Sequence, residues 1–274
     1  MLKAKQAGGE RVMTISEYYE RVLKIYKGEA VVYFIASACC FGLLLFLTKG
    51  NYLVSGLGII PFFILGCVSL NRFGMLFLKK GGLRETEERR RTSPLGETQL
   101  FIAFLPSPTL HLLFFTGDGV YAGSLKDKRS NIWMWIMPAS LLLLMPRRYL
   151  LVDNEGNPVA EYKVKHGMNG SISIMDANRQ EIGVYKQEMR LSGVVNEYGI
   201  RQYEGKMEHA AAFKVANANN KRPFAECNSG WMPAYASGRF LDANMPVLTF
   251  TEATENEKRI AFSYCVDYLQ GQNH

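Results

Sequence analysis

The sequence predicts an α+β protein in which an N-terminal transmembrane helical hairpin precedes an antiparallel β-barrel enclosing a C-terminal apolar helix. Three observations carry this. Two uncharged apolar runs stand side by side near the start, a strand-turn-strand pattern repeats through the middle, and the last segment has a helix start signal but almost no polar face. The 274 residues are 48% hydrophobic and 21% charged, which excludes a disordered chain or a collagen-like fibre. The five cysteines include no CxxC pair, so neither a disulfide scaffold nor a zinc ribbon is indicated.

The apolar runs cover residues 30–47 and 52–70, 18 and 19 residues respectively, and the second carries only Ser55 and Ser69 as polar side chains. Each approaches the ~20 residues that cross a hydrocarbon core about 30 Å thick. Only Thr48, Lys49, Gly50 and Asn51 separate them, so they read as a hairpin of two self-satisfied helices. Pro61 removes a backbone donor and predicts a kink in the second helix. Ala38 and Gly42 form a small pair that lets backbones approach, either within the hairpin or in a dimer.

Charge is segregated. Residues 1–91 hold 14 Lys/Arg against 7 Asp/Glu, whereas residues 92–274 hold 18 of each. A nucleic-acid-binding domain would carry its excess on the folded module, and here that module is neutral. The excess instead flanks the apolar runs: Lys3, Lys5, Arg11, Arg21, Lys24 and Lys27 before, and Arg72, Lys79, Lys80, Arg84, Arg89, Arg90 and Arg91 after. The intervening turn offers only Lys49. Basic flanks stay on the cytoplasmic side, so the expected placement is the cell membrane, with two spans and both termini inside. Cys227 and Cys265 then sit in a reducing compartment, where a structural disulfide is not expected.

Four segments follow: an amphipathic cytoplasmic segment (1–28), the hairpin (29–72), a basic linker (73–98) and the β domain (99–274). In the first, Thr14-Ile15-Ser16-Glu17 is a capping box, and Ile15, Tyr18, Tyr19, Val22 and Tyr26 share a helical face. That face either lies on the membrane or packs on the soluble domain. The linker ends in Ser93-Pro94 and Gly96.

In the β domain, Phe115-TGDGVYAGSL-Lys126, Val152-DNEGNPVAEY-Lys163 and Met175-DANRQEIGVY-Lys186 align without gaps. Val195-NEYGIRQYEG-Lys206 is a fourth copy, and residues 212–227 are expected to form a fifth hairpin. Gly119, Gly156 and Gly199 share the slot where a hairpin turn needs positive φ, which Arg179 fills in the third copy. Hairpins with no helix between them point to an antiparallel barrel or sandwich. Thr254-Glu255-Asn256-Glu257 is a second capping box, opening a helix over 255–269 whose apolar residues, from Ile260 to Leu269, require burial on all sides.

This combination resembles the tubby C-terminal-like family, whose relatives include phospholipid scramblases and LURP-one-related proteins. The resemblance is carried by LLVDNEGNPVAEYK and SISIMDANRQEIGVYK, by the approach PASLLLLMPRRYLLVD, and by the terminal EKRIAFSYCVDYL, over roughly residues 100–270. It suggests a membrane-anchored, bacterial-type member. It implies a twelve-stranded barrel around a hydrophobic helix, with membrane association and, in some members, phosphoinositide binding or lipid scrambling. The scramblase-type calcium loop is not matched, because Asp153-Asn154-Glu155-Gly156 lacks the alternating acidic ligands and closing Glu.

Residues 132–145, IWMWIMPASLLLLM, read either as a buried strand leading into the second hairpin or as a segment whose Trp133 and Trp135 dip into the lipid interface. No HxxxH, HExxH, GxSxG, Walker or GxGxxG pattern occurs, so no catalytic, cofactor or metal residues are assigned. The expected function is a non-enzymatic membrane-anchored protein whose cytoplasmic barrel binds membrane lipids through anionic headgroups, or a protein partner. The alternative is lipid translocation by a homo-oligomer, and a tethered hydrolase is the weakest reading. Expected lipid contacts are Arg72, Lys79, Lys80, Arg89, Arg90, Arg91, Trp133 and Trp135.

Overall fold

The computed structural model describes residues 13–81, 91–130, 134, 145–165, 170–187, 192–196, 198–209, 212–230, 233, 236, 239–242 and 244–269. They divide into two units, a helical pair (16–81) and a β domain that also takes in residues 13–15.

The helical pair consists of α1 (Ile15–Leu47) and α2 (Tyr52–Lys80). Helix α1 opens at Ile15, directly after Thr14, and runs unbroken through the amphipathic stretch into the apolar run. Lys49 and Gly50 reverse the chain with φ of 51° and 90°. Asn51 caps α2, its Oδ1 accepting from the amides of Leu53 and Val54 at 3.2 and 3.3 Å. Helix α2 passes through Pro61 as one helix and continues beyond the apolar run to Lys80.

The two helices meet along a seam of small and polar residues. A Cβ on Gly58 would lie 2.2 Å from Leu44 Cδ1, and one on Gly66 would lie 2.9 Å from the Phe34 ring, so glycine sets the approach. Phe34 meets Phe63 edge-on at 5.7 Å, and Ser69 donates to Glu29 at 3.4 Å. The expected pair Ala38 and Gly42 is not in this seam. Both are exposed, and space around Gly42 is open. The i, i+4 spacing marked a face without saying which face meets α2.

The β domain is a closed twelve-stranded barrel of consecutive antiparallel neighbours: β1 (Gln99–Phe104), β2 (His111–Phe115), β3 (Tyr121–Asp127), β4 (Arg147–Asp153), β5 (Pro158–Lys165), β6 (Ser171–Asp176), β7 (Glu181–Lys186), β8 (Ser192–Val195), β9 (Arg201–His209), β10 (Ala212–Asn217), β11 (Pro223–Asn228) and β12 (Val247–Phe250). Closure comes from β1 on β12, with Leu100 opposite Leu248. The strand count and the enclosed helix are those implied by the resemblance, and the five expected hairpins are β2–β3, β4–β5, β6–β7, β8–β9 and β10–β11.

The sequence repeat is a geometric repeat. The register slips at Phe114/Phe115, Leu151/Val152, Ile174/Met175 and Val194/Val195, one bulge just before each turn. The turns themselves are superimposable in their bonding. In each, the first turn residue (Thr116, Asp153, Asp176, Asn196) donates its amide to the carbonyl four residues on, at 2.9, 3.0, 3.0 and 3.0 Å. Its side-chain oxygen accepts the amide of that same residue at 3.2, 2.8, 2.8 and 2.9 Å. The positive-φ slot holds Gly119 (78°), Gly156 (86°), Arg179 (64°) and Gly199 (77°). These tight turns all lie at one rim, and the opposite ends of their strands form the other.

Inside runs α3 (Glu255–Leu269), with Ile260 through Val266 all buried. Its start is the expected box: the Thr254 amide donates to Glu257 Oε2 at 2.8 Å, and the Glu257 amide donates to Thr254 Oγ1 at 3.3 Å. Phe262 packs edge-on against Phe114 at 5.0 Å, and Tyr264 against Tyr185 at 4.9 Å. Each such fully buried side chain stabilises by about 1.5–3 kcal/mol.

The barrel also has a covered outer face. Phe101, Phe115 and Tyr121 point away from the interior yet are buried. Phe240 stacks on Phe101 at 4.8 Å, Thr14 bridges to Val120, and Thr92 Oγ1 donates to the Tyr121 carbonyl at 2.9 Å. Residues 92–98, expected as the end of a linker, are therefore built into the barrel, with Leu95 in its core.

Candidate functional site

The basic residues expected to meet lipid fall in two units. Arg72 and Lys79 are exposed on α2, and Lys79 and Lys80 occupy its last turn, where cations complement the helix dipole. Lys80 Nζ is 2.7 Å from Glu20 Oε1. Arg91 belongs to the barrel unit, where its Nε is 2.8 Å from Glu155 Oε1 in the β4–β5 turn. Arg89, Arg90, Trp133 and Trp135 lie outside the described residues, as does most of 132–145.

The barrel interior holds polar groups at both ends of α3, which sequence reasoning did not single out. At its first turn Lys258 is buried, and Nζ donates to the carbonyls of Leu95 and Glu97, each at 2.7 Å. Near its C-terminus Tyr185 donates to Asp267 Oδ2 at 2.5 Å, while Ser192 Oγ and the Tyr268 hydroxyl are 3.0 Å apart. Burial raises the Asp267 carboxyl above the usual carboxylate range, and the bond from Tyr185 opposes this only in part. Burial, then the Asp267 charge, raise the Tyr185 phenol. The Tyr264 hydroxyl is buried with no hydrogen-bond partner among the described residues. An acidic residue inside an apolar helix, as in YCVDYL, was the available signal.

This cluster links helix to wall. Cys227 and Cys265 are free buried thiols, both pushed up by burial, Cys227 to about 12, which leaves them protonated and unreactive at neutral pH. Among the described residues no group of three or more His, Cys, Asp or Glu side chains could hold a metal ion. Asp127 and Arg147 are buried at the far rim, with Arg147 donating to the Tyr149 hydroxyl at 3.1 Å.

No family model matches the chain, and no curated protein matches it. Among solved structures, an X-ray structure of the Arabidopsis thaliana protein AT5G01750 is similar at a TM-score of 0.40 and 10% identity, over 64% of this chain and 89% of that one.

Proposed function

We propose that α1 and α2 insert as a hairpin into the cell membrane with both termini cytoplasmic, and that the barrel is a non-enzymatic module which binds anionic lipid or a protein partner at the inner face. The observation that carries this is uncovered apolar surface. Only 11% and 17% of the most apolar stretches of α1 and α2 are buried, and Phe46, Leu53 and Leu57 are 83%, 73% and 60% exposed. A core helix of a soluble protein would cover these side chains, each of which forfeits about 1.5–3 kcal/mol in water. Arg72 and Lys79 add roughly 1 kcal/mol each of attraction to an anionic leaflet.

Thiol labelling in intact cells tests the topology. Asn51→Cys should react with an impermeant maleimide from outside, and Glu155→Cys only after permeabilisation. The opposite pattern, or recovery of the full chain without detergent, would overturn the insertion. Arg72→Gln with Lys79→Gln should reduce co-purifying anionic lipid several-fold while leaving neutral lipid unchanged.

A further inference from the structure

On strands β4–β7 the core takes Tyr149, Tyr162, Ile174 and Tyr185, so the alternate residues of each strand stand on the outer wall. The register brings like charges together there. Arg148 is directly opposite Lys163, with Ser173 next in that row. One row farther from the tight turns, Lys165 and Lys186 stand on either side of Ser171. Arg148, Lys165 and Lys186 are exposed, and Lys163 is partly so. Among the described residues none of these four side chains is in an ion pair or a hydrogen bond. The acids of this wall do not answer them. Glu161 and Glu181 lie in the next row toward the tight turns, on either side of Met175. Glu204, beyond Gly193 from Lys186, is bonded to Lys221. Like charges directly opposite one another weaken a sheet, so the fold does not account for this arrangement.

We infer that the outer wall of β4–β7 is the docking surface for an acidic segment of a partner polypeptide. The inference rests on the reading of the barrel as a binding module and names the partner of that module. Charge complementarity makes the ligand anionic, and two further observations make it a chain. First, the cations do not converge on one point. From β4 to β7 is three strand spacings, about 14 Å, and Lys163 and Lys165 stand about 7 Å apart along β5. A single phosphate reaches only part of this set. An extended segment with a carboxylate at every second residue repeats its charge at the same spacing of about 7 Å. Second, apolar side chains border the cations on the side of the tight turns. Leu150 and Met175 follow Arg148 and Ser173 two residues along on the same face, and Val184 lies opposite Ser173. All three are partly exposed. A phosphate group places nothing on them, whereas a polypeptide that is acidic and then apolar covers both halves of the wall. The hydroxyls of Ser171 and Ser173 stand between the cations as further donors to carboxylates.

The test uses full-length protein in nanodiscs of neutral phosphatidylcholine. The probe is a fluorescein-labelled peptide that alternates serine with glutamate, glutamate, leucine and leucine, in that order. Saturable binding is expected, weakened several-fold when the probe's glutamates become glutamine or its leucines become serine. The variant Arg148→Gln, Lys163→Gln, Lys165→Gln, Lys186→Gln should bind the probe several-fold more weakly and melt at or above the wild-type temperature. Equal binding by this variant would overturn the proposal, and a lower melting temperature would do so by assigning the four side chains to fold stability. Short-chain phosphatidylglycerol and pyrophosphate are the competing arms. Displacement of the probe by either at a lower concentration than by unlabelled peptide would give the wall to a phosphate-bearing ligand, overturning the acidic segment and leaving the barrel a binding module. Failure of wild-type protein to bind peptide, lipid and pyrophosphate alike would overturn the docking surface and the binding module together.

Discussion

Lys258 and Leu95 are 163 positions apart and are joined by a 2.7 Å hydrogen bond, the buried ammonium donating to the backbone carbonyl. A second bond reaches the Glu97 carbonyl at 2.7 Å, and Nζ lies 5.1 Å from the centre of the Phe250 ring. The first turn of the enclosed helix is thereby fastened to the chain that leads into β1. Lys258→Met keeps the stem and removes the donors, leaving two carbonyls short of a partner. The expected cost is about 1–3 kcal/mol, seen as a lower denaturant midpoint in detergent. An unchanged midpoint would show that the bond contributes nothing.

The Asp267 carboxyl is raised by burial, and Asp127 is raised for the same reason. For each, the folded state keeps a proton that the unfolded state has already released. Their contribution to stability is full below the ordinary carboxylate range, near pH 4, and is lost as pH rises through the raised value. The melting temperature should therefore carry a component that declines from mildly acidic toward neutral pH. Asp267→Asn should flatten part of this decline while keeping an acceptor for Tyr185. A variant with the wild-type slope would contradict the assignment.

Gly205 lies under the Tyr264 ring, and a Cβ there would stand 2.0 Å from Cε1. Gly205→Ala forces the aromatic ring off its site inside a closed barrel. A destabilisation of about 1–3 kcal/mol is expected, measured by chemical denaturation.

Arg179 adopts φ of 64° where the sister turns have glycine. A left-handed conformation costs a residue with a Cβ roughly 1–2 kcal/mol. Arg179→Gly should therefore raise the unfolding midpoint slightly, partly offset by the greater entropy of glycine in the unfolded chain. A drop would mean that the arginine side chain contributes more than the turn strain costs.

The repeated hairpins were legible because each announces itself locally, with a turn-forming first residue and a positive-φ slot at fixed spacing. The capping box at Thr254 and the all-round apolarity of 260–269 announced the enclosed helix in the same way. What stayed hidden was long-range. Nothing in VLTF marks it as the strand that closes on β1, and nothing in TSPL shows that Leu95 enters the core. Phe240, which covers Phe101, sits in a stretch without periodicity. At the candidate contacts, counting charges found Arg72, Lys79 and Lys80 but not that Lys80 is bonded to Glu20. Lys163 and Lys186 were read as the closing residues of their repeats, yet what they face emerges only from the strand register.

Closure of β1 on β12 imposes an order of events during synthesis. The two apolar helices are made before the strands. The wall cannot seal until residue 250 exists, and its filling arrives later still with α3. A message truncated before that point would leave β1 and β11 as bare edges, open to pairing with another chain. Premature termination should thus yield aggregates rather than a smaller working protein.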